Sequence, residues 1–252
     1  MKVLVITQAR VGSTRLPNKV LLKINTETIL SLHLKRLIQS KRADKVVVAT
    51  TKEEGVNKIL DICRSLNVKY HQGNLDDVLD RFYQTANIFH PDLVVRVTSD
   101  CPLIDPALVD QVIEIAIDKN VDYCSNTITE DFPDGQDIEV FKFTSLKKAW
   151  SEAKLKSERE HVTPFIYNNS DLKGGKLFSA YDVRSGVNYN SVRMTVDEPK
   201  DLKAIQEIVN QLGANRTWEK YAEFIVQNYS RLANINIKRN EGYLKSISKD
   251  RT

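Results

Sequence analysis

Short apolar runs rich in β-branched residues alternate along the chain with longer segments in which apolar residues recur every three or four positions. The short runs predict buried strands, and the longer segments predict helices that bury one face. The predicted strands are residues 3–7, 45–50, 68–71 and 93–98, and the predicted helices between and after them are residues 28–40, 53–65, 76–89 and 106–119. This order predicts an α/β fold with a mostly parallel sheet sandwiched by helices.

The alternation breaks down between residues 122 and 190. Strand-like segments at 122–125, 138–142 and 176–181 are separated there by proline and glycine residues, which interrupt regular structure. We interpret residues 122–190 as a small antiparallel arm inserted into the α/β domain.

The original alternation resumes towards the C-terminus. A strand is predicted at 192–196, and helices are predicted at 199–212 and about 218–229. We therefore expect a single domain over residues 1–235. The remaining residues, 236–252, form a polar tail that we expect to fray.

Composition and charge narrow the possible functions only slightly. A chain of 252 residues with 41% hydrophobic content can bury the core of one α/β domain. Its net charge of +4 does not demand nucleic acid as a partner, and no basic stripe with interleaved aromatic residues is present. Three cysteines without a CxxC pair indicate neither a disulfide framework nor a zinc site. The N-terminal apolar run is far shorter than the about 20 residues that span a bilayer, so we expect a cytoplasmic protein without a membrane partner.

The loop after the first predicted strand, residues 8–19, carries three cations in a short stretch. Ligands of open parallel sheets bind beyond the carboxyl ends of the strands, which is where this loop begins. Arg10 and Arg15 can each hold a phosphate through two hydrogen bonds, and Lys19 adds a compact charge. The loop therefore predicts a triphosphate site, with a solvated basic surface loop as the alternative.

Small residues lie between these cations. Gly12 permits close approach of the backbone to a ligand, and the Ser13 hydroxyl can bond a phosphate oxygen. Gln8 and Ala9 open the loop, so we include them among the nucleotide-binding residues. The absence of GxGxxG and GxxxxGK[ST] disfavours a dinucleotide-binding fold and a Walker-type NTPase.

Two aspartates follow predicted strands. Asp100 comes directly after Thr98 and Ser99 at the end of one strand, and Asp197 follows the strand predicted at 192–196. We include Thr98 and Ser99 among the nucleotide-binding residues. If both strands are parallel in one sheet, both carboxylates face the edge that carries the loop. Mg²⁺ is typically held by one or two carboxylates together with substrate phosphates and water. The pair therefore predicts a magnesium site, and capping of the following helix is the alternative role for Asp197.

Six motifs occur in order over roughly residues 1–212. They are QARVGSTRLPNKVL (8–21), GNLDDVLDRF (73–82), RVTSDCPLIDP (96–106), DGQDIEVF (134–141), EREHVTPFIY (158–167) and SVRMTVDEPKDL (191–202). This series resembles the SpsF-like branch of the acylneuraminate and KDO cytidylyltransferase family. The resemblance implies a Rossmann-like nucleotidyltransferase fold, CTP as the donor, and a CMP-activated sugar or sugar acid for surface glycans as the product, with pyrophosphate released. It also implies a homodimer in which the arm helps to contact the partner.

The same resemblance assigns roles to individual side chains. It implies that the triphosphate is held by Arg10, Ser13, Arg15 and Lys19, that Asp100 and Asp197 hold Mg²⁺, and that Asp80 and Arg81 lie near the nucleotide. Among these, Arg10, Lys19 and Asp100 are the expected catalytic residues.

The acceptor is not identified by the resemblance, because sialate and KDO enzymes usually have proline where this chain has Gln8. Asp137 and Glu139 alternate on a predicted strand and would share one face, where they could bind acceptor hydroxyls or simply face solvent. His161 is a candidate general base or a structural histidine. Arg193 lies in a predicted strand, where ligand contact and a buried ion pair are both possible.

Two other functions stay open from the sequence. One is a nucleotidyltransferase that uses UTP, dTTP or GTP on a sugar phosphate or phosphonate, although the first loop of such enzymes is usually richer in glycine. The other is a non-catalytic nucleotide-binding protein, against which the presence of both Asp100 and Asp197 argues.

Overall fold

The computed structural model describes residues 1–13, 15–232 and 239–250. Its strands, in chain order, are β1 Val3–Gln8, β2 Lys23–Ile24, β3 Glu27–Thr28, β4 Lys45–Thr50, β5 Lys69–Gln72, β6 Leu93–Thr98, β7 Tyr123–Ser125, β8 Glu139–Lys142 and β9 Ala180–Asp182. Seven of them form one sheet in the order β5-β4-β1-β6-β8-β7-β9. Strands β5, β4, β1 and β6 run parallel, β8 is antiparallel to both of its neighbours, and β9 is parallel to β7. A separate antiparallel pair joins β2 and β3.

The helices begin and end at residues that suit helix termini. They are α1 Ile29–Leu37, α2 Asn57–Ser65, α3 Val78–Phe89, α4 Pro106–Lys119, α5 Phe143–Glu152, α6 Lys156–His161, α7 Pro164–Asn168, α8 Pro199–Leu212, α9 Trp218–Gln227, α10 Tyr229–Leu232 and α11 Glu241–Lys249. The Thr28 hydroxyl caps α1 by accepting from the Ser31 amide, and the Asp77 carboxylate caps α3 by accepting from the Asp80 amide. As predicted, α4 is capped by Asp105.

Apolar side chains cover both faces of the sheet, which explains why its central strands are almost continuously apolar. Odd-numbered residues of β1, such as Val3 and Val5, pack on the side of α4, α8 and α9. Leu4 and Ile6 pack on the side of α3, α5 and α7. The mostly parallel α/β sandwich predicted from the sequence is therefore confirmed.

Residues 122–190 contain the predicted antiparallel pairing, but they are not an appendage to the sheet. Strands β7 and β8 extend the main sheet beyond β6, and helices α5, α6 and α7 lie within the same stretch. The predicted strand at 176–181 is mostly wrong, because β9 begins only at Ala180.

The strand predicted at 192–196 is wrong. Arg193 forms an isolated bridge with Asp134, and the segment does not join the sheet. Val192, Met194 and Val196 are nevertheless buried. Their alternation reflects burial against the core, while the backbone bonds to loops: Met194 N donates to Asp134 O at 2.6 Å.

The polar C-terminal tail contains a helix instead of a frayed end. Helix α11 packs against α6, where the Ser157 amide donates to Asp250 Oδ1 at 3.0 Å. The part of the predicted tail at 236–238 and 251–252 lies outside the described residues. Across the described ranges, the helices include none with the length and apolar character needed to cross a bilayer.

Candidate active site

A cleft of about 830 Å³ opens at the carboxyl ends of β1 and β6. Because these strands are parallel neighbours, their last residues, Gln8 and Thr98, reach the same edge of the sheet. The Ser99 hydroxyl ties the two ends together by donating to Gln8 O at 2.6 Å. The predicted site residues that line the cleft are Gln8, Ala9, Arg10, Ser13, Arg15, Lys19, Arg81, Thr98, Ser99, Asp100, His161 and Asp197.

The two predicted metal ligands, Asp100 and Asp197, both contact one cation of the basic loop, residues 8–19. Lys19 Nζ lies 2.6 Å from Asp100 Oδ2 and 2.7 Å from Asp197 Oδ1. Burial works to lower the pKa of Lys19, but the charges of both aspartates outweigh it and raise the pKa well above its usual value. Burial likewise works to raise the pKa of Asp100, and the Lys19 ammonium overrides it and holds that pKa well below the usual range. Lys19 and Asp100 are therefore both charged at neutral pH.

Asp197 reaches this position without a strand to carry it. The Val196 amide donates to Asp100 O at 2.9 Å, which holds the two aspartates side by side. Arg193 Nη2 lies 3.0 Å from Asp197 Oδ2, and the Arg15 guanidinium lies 2.9 Å from Asp197 Oδ1. Thus Asp197 is at the predicted edge although the predicted structural reason was wrong.

The basic loop folds back on itself. Asn18 has a φ of 57°, in the left-handed region that asparagine tolerates, and its amide donates to Val11 O at 3.3 Å. A short 3₁₀ turn, Lys19–Leu21, follows and buries Val20. This anchoring directs Lys19 into the cleft. Arg10 is exposed and lines the cleft as well.

Gly12 is placed away from the cleft. Its amide donates to Glu53 Oε1 at 3.1 Å, and a Cβ at this position would lie only 2.5 Å from the same oxygen. Gly12 does not line the cleft, and its predicted contact with a phosphate stays a prediction.

The pair Asp80 and Arg81 is divided between two environments. Arg81 lines the cleft but is almost fully buried, donates to Asn74 O at 2.9 Å, and has its pKa lowered to about 10 by burial. Asp80 does not line the cleft, because it accepts a hydrogen bond from Trp150 Nε1 at 2.8 Å and another from Gln84. Only Arg81 borders the nucleotide cleft.

Three of the four proposed acceptor contacts lie outside the cleft lining. Strand β8 begins at Glu139, so Asp137 precedes the strand, and it pairs with Arg239. Glu139 is buried and accepts from the Tyr123 and Thr163 hydroxyls, each at 2.6 Å.

The remaining two candidates differ in position. Arg193 binds the carboxylates of Asp134 and Asp201 as well as Asp197, so it positions a cleft residue from outside. His161, in contrast, lines the cleft.

A second group of lining residues was not anticipated from the sequence. It consists of Val20, residues 74–78, Lys154, Lys156, Arg159, Glu160, Ser246 and Lys249. Arg159 and Glu160 belong to the EREHVTPFIY motif, which is a usable signal. The lysines are far from the loop in sequence, and only the tertiary fold brings them to it.

A buried histidine, His33, bonds to the backbone of Cys101, the residue after Asp100. His33 Nδ1 bonds to the Cys101 carbonyl at 2.8 Å, and His33 Nε2 is 2.9 Å from the Thr7 hydroxyl. A carbonyl can only accept, so Nδ1 carries the proton and Nε2 accepts from Thr7. Burial lowers the pKa of His33 to about 4.

This shift predicts a pH dependence of stability. As the pH falls below 6.5, the ordinary pKa, His33 takes up a proton in the unfolded chain, while the folded state stays neutral until about pH 4. The unfolding free energy of the wild type should therefore fall by roughly 2 kcal/mol more between pH 7 and pH 5 than that of His33→Gln. Urea titrations at the two pH values measure this difference, and His90→Gln, at an exposed site, serves as the control. Equal losses in wild type and His33→Gln would contradict it.

Comparison with known proteins shows the family to which this chain belongs. The sequence model for cytidylyltransferases matches residues 4–229. The chain belongs to the cytidylyltransferase family. It is therefore a nucleotidyltransferase, which agrees with a cleft that brings the three cations of residues 8–19 together with Asp100 and Asp197.

Individual relatives are similar to most of the chain. It is 43% identical over 212 residues to an uncharacterized protein, MJ1063, of Methanocaldococcus jannaschii, covering 82% of this chain and 83% of the relative. It is 31% identical over 216 residues to the spore coat polysaccharide biosynthesis protein SpsF of Bacillus subtilis, covering 84% and 88%. A solved cytidylyltransferase from Leptospira borgpetersenii superposes with a TM-score of 0.87 at 31% identity, covering 95% of this chain and 100% of that one. The expected nucleotidyltransferase fold is confirmed.

Proposed function

We propose that this cytidylyltransferase transfers CMP from CTP to a glycan-type acceptor in an Mg²⁺-dependent reaction that releases pyrophosphate. The observation that carries the proposal is the convergence of Asp100 and Asp197 on one cation, Lys19, beside the Arg10 and Arg15 side of the loop. The cations of such a site could bind the phosphates of a triphosphate, and its carboxylates could bind the accompanying metal.

The donor set fits magnesium. Within the ranges that the structure describes, His, Cys, Asp and Glu side chains form no cluster of three that could hold a metal. Asp100 and Asp197 would supply two carboxylates, and phosphate oxygens and water would complete the shell, as is usual for Mg²⁺. When bound, the metal would neutralise charge on the α-phosphate.

The side chains of the loop have defined tasks in this reaction. An acceptor oxygen attacks the α-phosphorus, the bond from that phosphorus to the bridging oxygen breaks, and pyrophosphate leaves. Arg10, Arg15 and Lys19 would hold the departing phosphates and offset their charge, which is the main source of catalysis in such transfers.

His161 limits the choice of nucleophile. Burial and the nearby Arg96 charge lower its pKa to about 4, so its imidazole is neutral at pH 7 and a weak proton acceptor. A phosphate or phosphonate nucleophile needs no general base. A sugar hydroxyl does need one, and His161 is the candidate side chain.

The wider setting is proposed from relatives. The name of the SpsF relative supports a role in making surface polysaccharide. A homodimer in the cytoplasm, with no nucleic acid or membrane partner, is part of the same proposal.

The donor is tested by pyrophosphate release with CTP, UTP, ATP and GTP, each with Mg²⁺ and a panel of sugar acids and sugar phosphates. We expect release from CTP to exceed release from every other nucleotide by at least about tenfold, which corresponds to about 1.4 kcal/mol of discrimination. Equal turnover of UTP or GTP would remove the cytidylyl part of the proposal.

A further inference from the structure

The ammonium of Lys19 contacts the same carboxylate oxygens that a metal ion at Asp100 and Asp197 would bind. Its Nζ lies 2.6 Å from Asp100 Oδ2 and 2.7 Å from Asp197 Oδ1, so it bridges the two carboxylates. Mg²⁺ binds oxygen ligands at about 2.0–2.1 Å. An ion bound to either of these oxygens would therefore lie within about 5 Å of the ammonium.

The bridge is poorly screened by water. The side chains of Lys19, Asp197 and Asp100 are only 16%, 17% and 22% exposed. Charges in such a setting attract and repel one another more strongly than charges on the open surface. The ammonium would therefore repel a divalent cation beside it, and tight metal binding requires that Lys19 leave the two carboxylates.

Two arginines also contact Asp197, and in the described part of the chain neither pairs with Asp100. The Arg15 guanidinium lies 2.9 Å from Asp197 Oδ1, but its side chain is 38% exposed, so water screens its charge more than that of Lys19. Arg193 lies 3.0 Å from Asp197 Oδ2, and two further carboxylates offset its charge. Lys19 is therefore the cation that most directly opposes a metal ion at both aspartates.

The Lys19 side chain can move without moving the loop. Its backbone is anchored, because the Lys19 amide donates to Leu16 O at 3.1 Å and the 3₁₀ turn Lys19–Leu21 follows. Beyond the backbone lie a flexible four-carbon stem and an ammonium with three N–H donors. Arg10 and Ser13 line the same cavity as Lys19. A triphosphate bound there would offer the ammonium phosphate oxygens in exchange for the carboxylates.

We propose that Lys19 is a built-in counter-ion of the metal site, whose ammonium competes with Mg²⁺ for Asp100 and Asp197 and moves to the phosphates when CTP binds. The metal then binds tightly only together with the nucleotide. This inference rests on the magnesium site of the proposed function. Because coupling between two ligands is reciprocal, Mg²⁺ must tighten CTP binding by the same factor by which CTP tightens Mg²⁺ binding.

Calorimetric titration of Mg²⁺ into the protein without nucleotide tests the competition. Lys19→Met removes the ammonium, so Mg²⁺ should bind this variant at least about tenfold more tightly than the wild type, within the usual range of coupling. Lys19→Arg keeps the charge and should bind Mg²⁺ as weakly as the wild type. Lys142→Met is the matched control, because Lys142 pairs with Asp122 at 3.1 Å outside the cleft. It changes the net charge equally and should leave the Mg²⁺ affinity within about twofold of the wild type.

The coupling itself is a second readout. The dissociation constant of CTP is measured with and without Mg²⁺ in the wild type and in Lys19→Met. The factor by which Mg²⁺ tightens CTP binding should be at least about tenfold smaller in the variant. Mg²⁺ alone should also raise the unfolding midpoint of Lys19→Met more than that of the wild type, which a misfolded variant would not show. If Lys19→Met does not fold, Lys19→Gln, whose amide can still donate to a carboxylate, takes its place.

Equal Mg²⁺ affinity of the wild type and of a folded Lys19→Met protein would overturn the proposal. A larger gain in Arg15→Met than in Lys19→Met would also overturn it, because Arg15 would then be the competing cation. Failure of the magnesium site itself looks different. In that case Asp100→Asn would leave Mg²⁺ binding to the CTP complex unchanged, whereas Asp100→Asn weakens this binding if only the competition is wrong.

Discussion

Replacing Asp100 with asparagine is expected to lower the rate of pyrophosphate release from CTP by about a hundredfold to a thousandfold, the range for losing one preorganised electrostatic group. The substitution keeps the size of the side chain but removes one of the two carboxylates that meet at Lys19. The charge balance of the cleft depends on that carboxylate, and so does the proposed magnesium site. The measurement is kcat at saturating CTP and Mg²⁺.

The control for Asp100→Asn is Asp122→Asn. Asp122 also pairs with a lysine, at 3.1 Å from Lys142, but it lies at the base of β7 and does not line the cleft. Its replacement should leave kcat within about threefold, because Asp122 does not border the groups that would bind the substrates. Full activity in Asp100→Asn would remove the metal role assigned to Asp100.

Replacing Arg193 with leucine is expected to lower the free energy of unfolding by about 3–5 kcal/mol, as when one partner of a buried ion pair is removed. The guanidinium contacts Asp134, Asp197 and Asp201 together. Burial and the nearby Asp137 charge raise the pKa of Asp134 to about 7, so Asp134 can take up a proton when the cation is lost, and the cost falls mainly on Asp197 and Asp201. Urea unfolding monitored by circular dichroism measures the change.

Two further variants sharpen the Arg193 prediction. Arg42 pairs with Glu114 at 3.1 Å on the surface, so Arg42→Leu should cost at most about 1 kcal/mol. Arg193→Lys keeps the charge but loses the contacts of the planar guanidinium. Its loss of unfolding free energy should therefore lie between the losses of Arg193→Leu and Arg42→Leu. A loss of under about 1 kcal/mol in Arg193→Leu would show that the three aspartates do not depend on it.

Local patterns predicted the centre of the fold well. Strands β4 and β6 match their predicted bounds, because each contains a short valine-rich run, which is typical of a strand buried in a parallel sheet. The ends of β1 and β6 then located the cleft, since ligands of parallel sheets bind beyond the carboxyl ends of strands. The start of α4 was also predicted from neighbouring residues alone, because Asp105 caps the helix and Pro106 is its first residue.

The errors occurred where tertiary contacts decide the structure. The alternating apolar residues at 192–196 indicate that one side of this segment is buried, but they do not indicate whether a neighbouring strand pairs with it. Among the side chains of α11 only Ser246 is fully buried, and Tyr243 and Ile247 are the partly buried apolar residues, so the apolar pattern of this helix is weak. The sequence also offered no basis for assigning Lys154, Lys156 and Lys249 to the cleft, because only the tertiary fold brings α11 and residues 154–161 to it.

The central claim is that the cleft beside residues 8–19 transfers the CMP portion of CTP. Incubation of the wild type with Mg²⁺, CTP labelled at its α-phosphorus and the acceptor panel tests it most directly. We predict that the label moves into a conjugate of CMP and the acceptor while unlabelled pyrophosphate accumulates in equal amount. Label remaining in CDP with release of orthophosphate or phosphorylation of the acceptor would contradict the account, because the bond at the γ-phosphorus would then be the one that breaks.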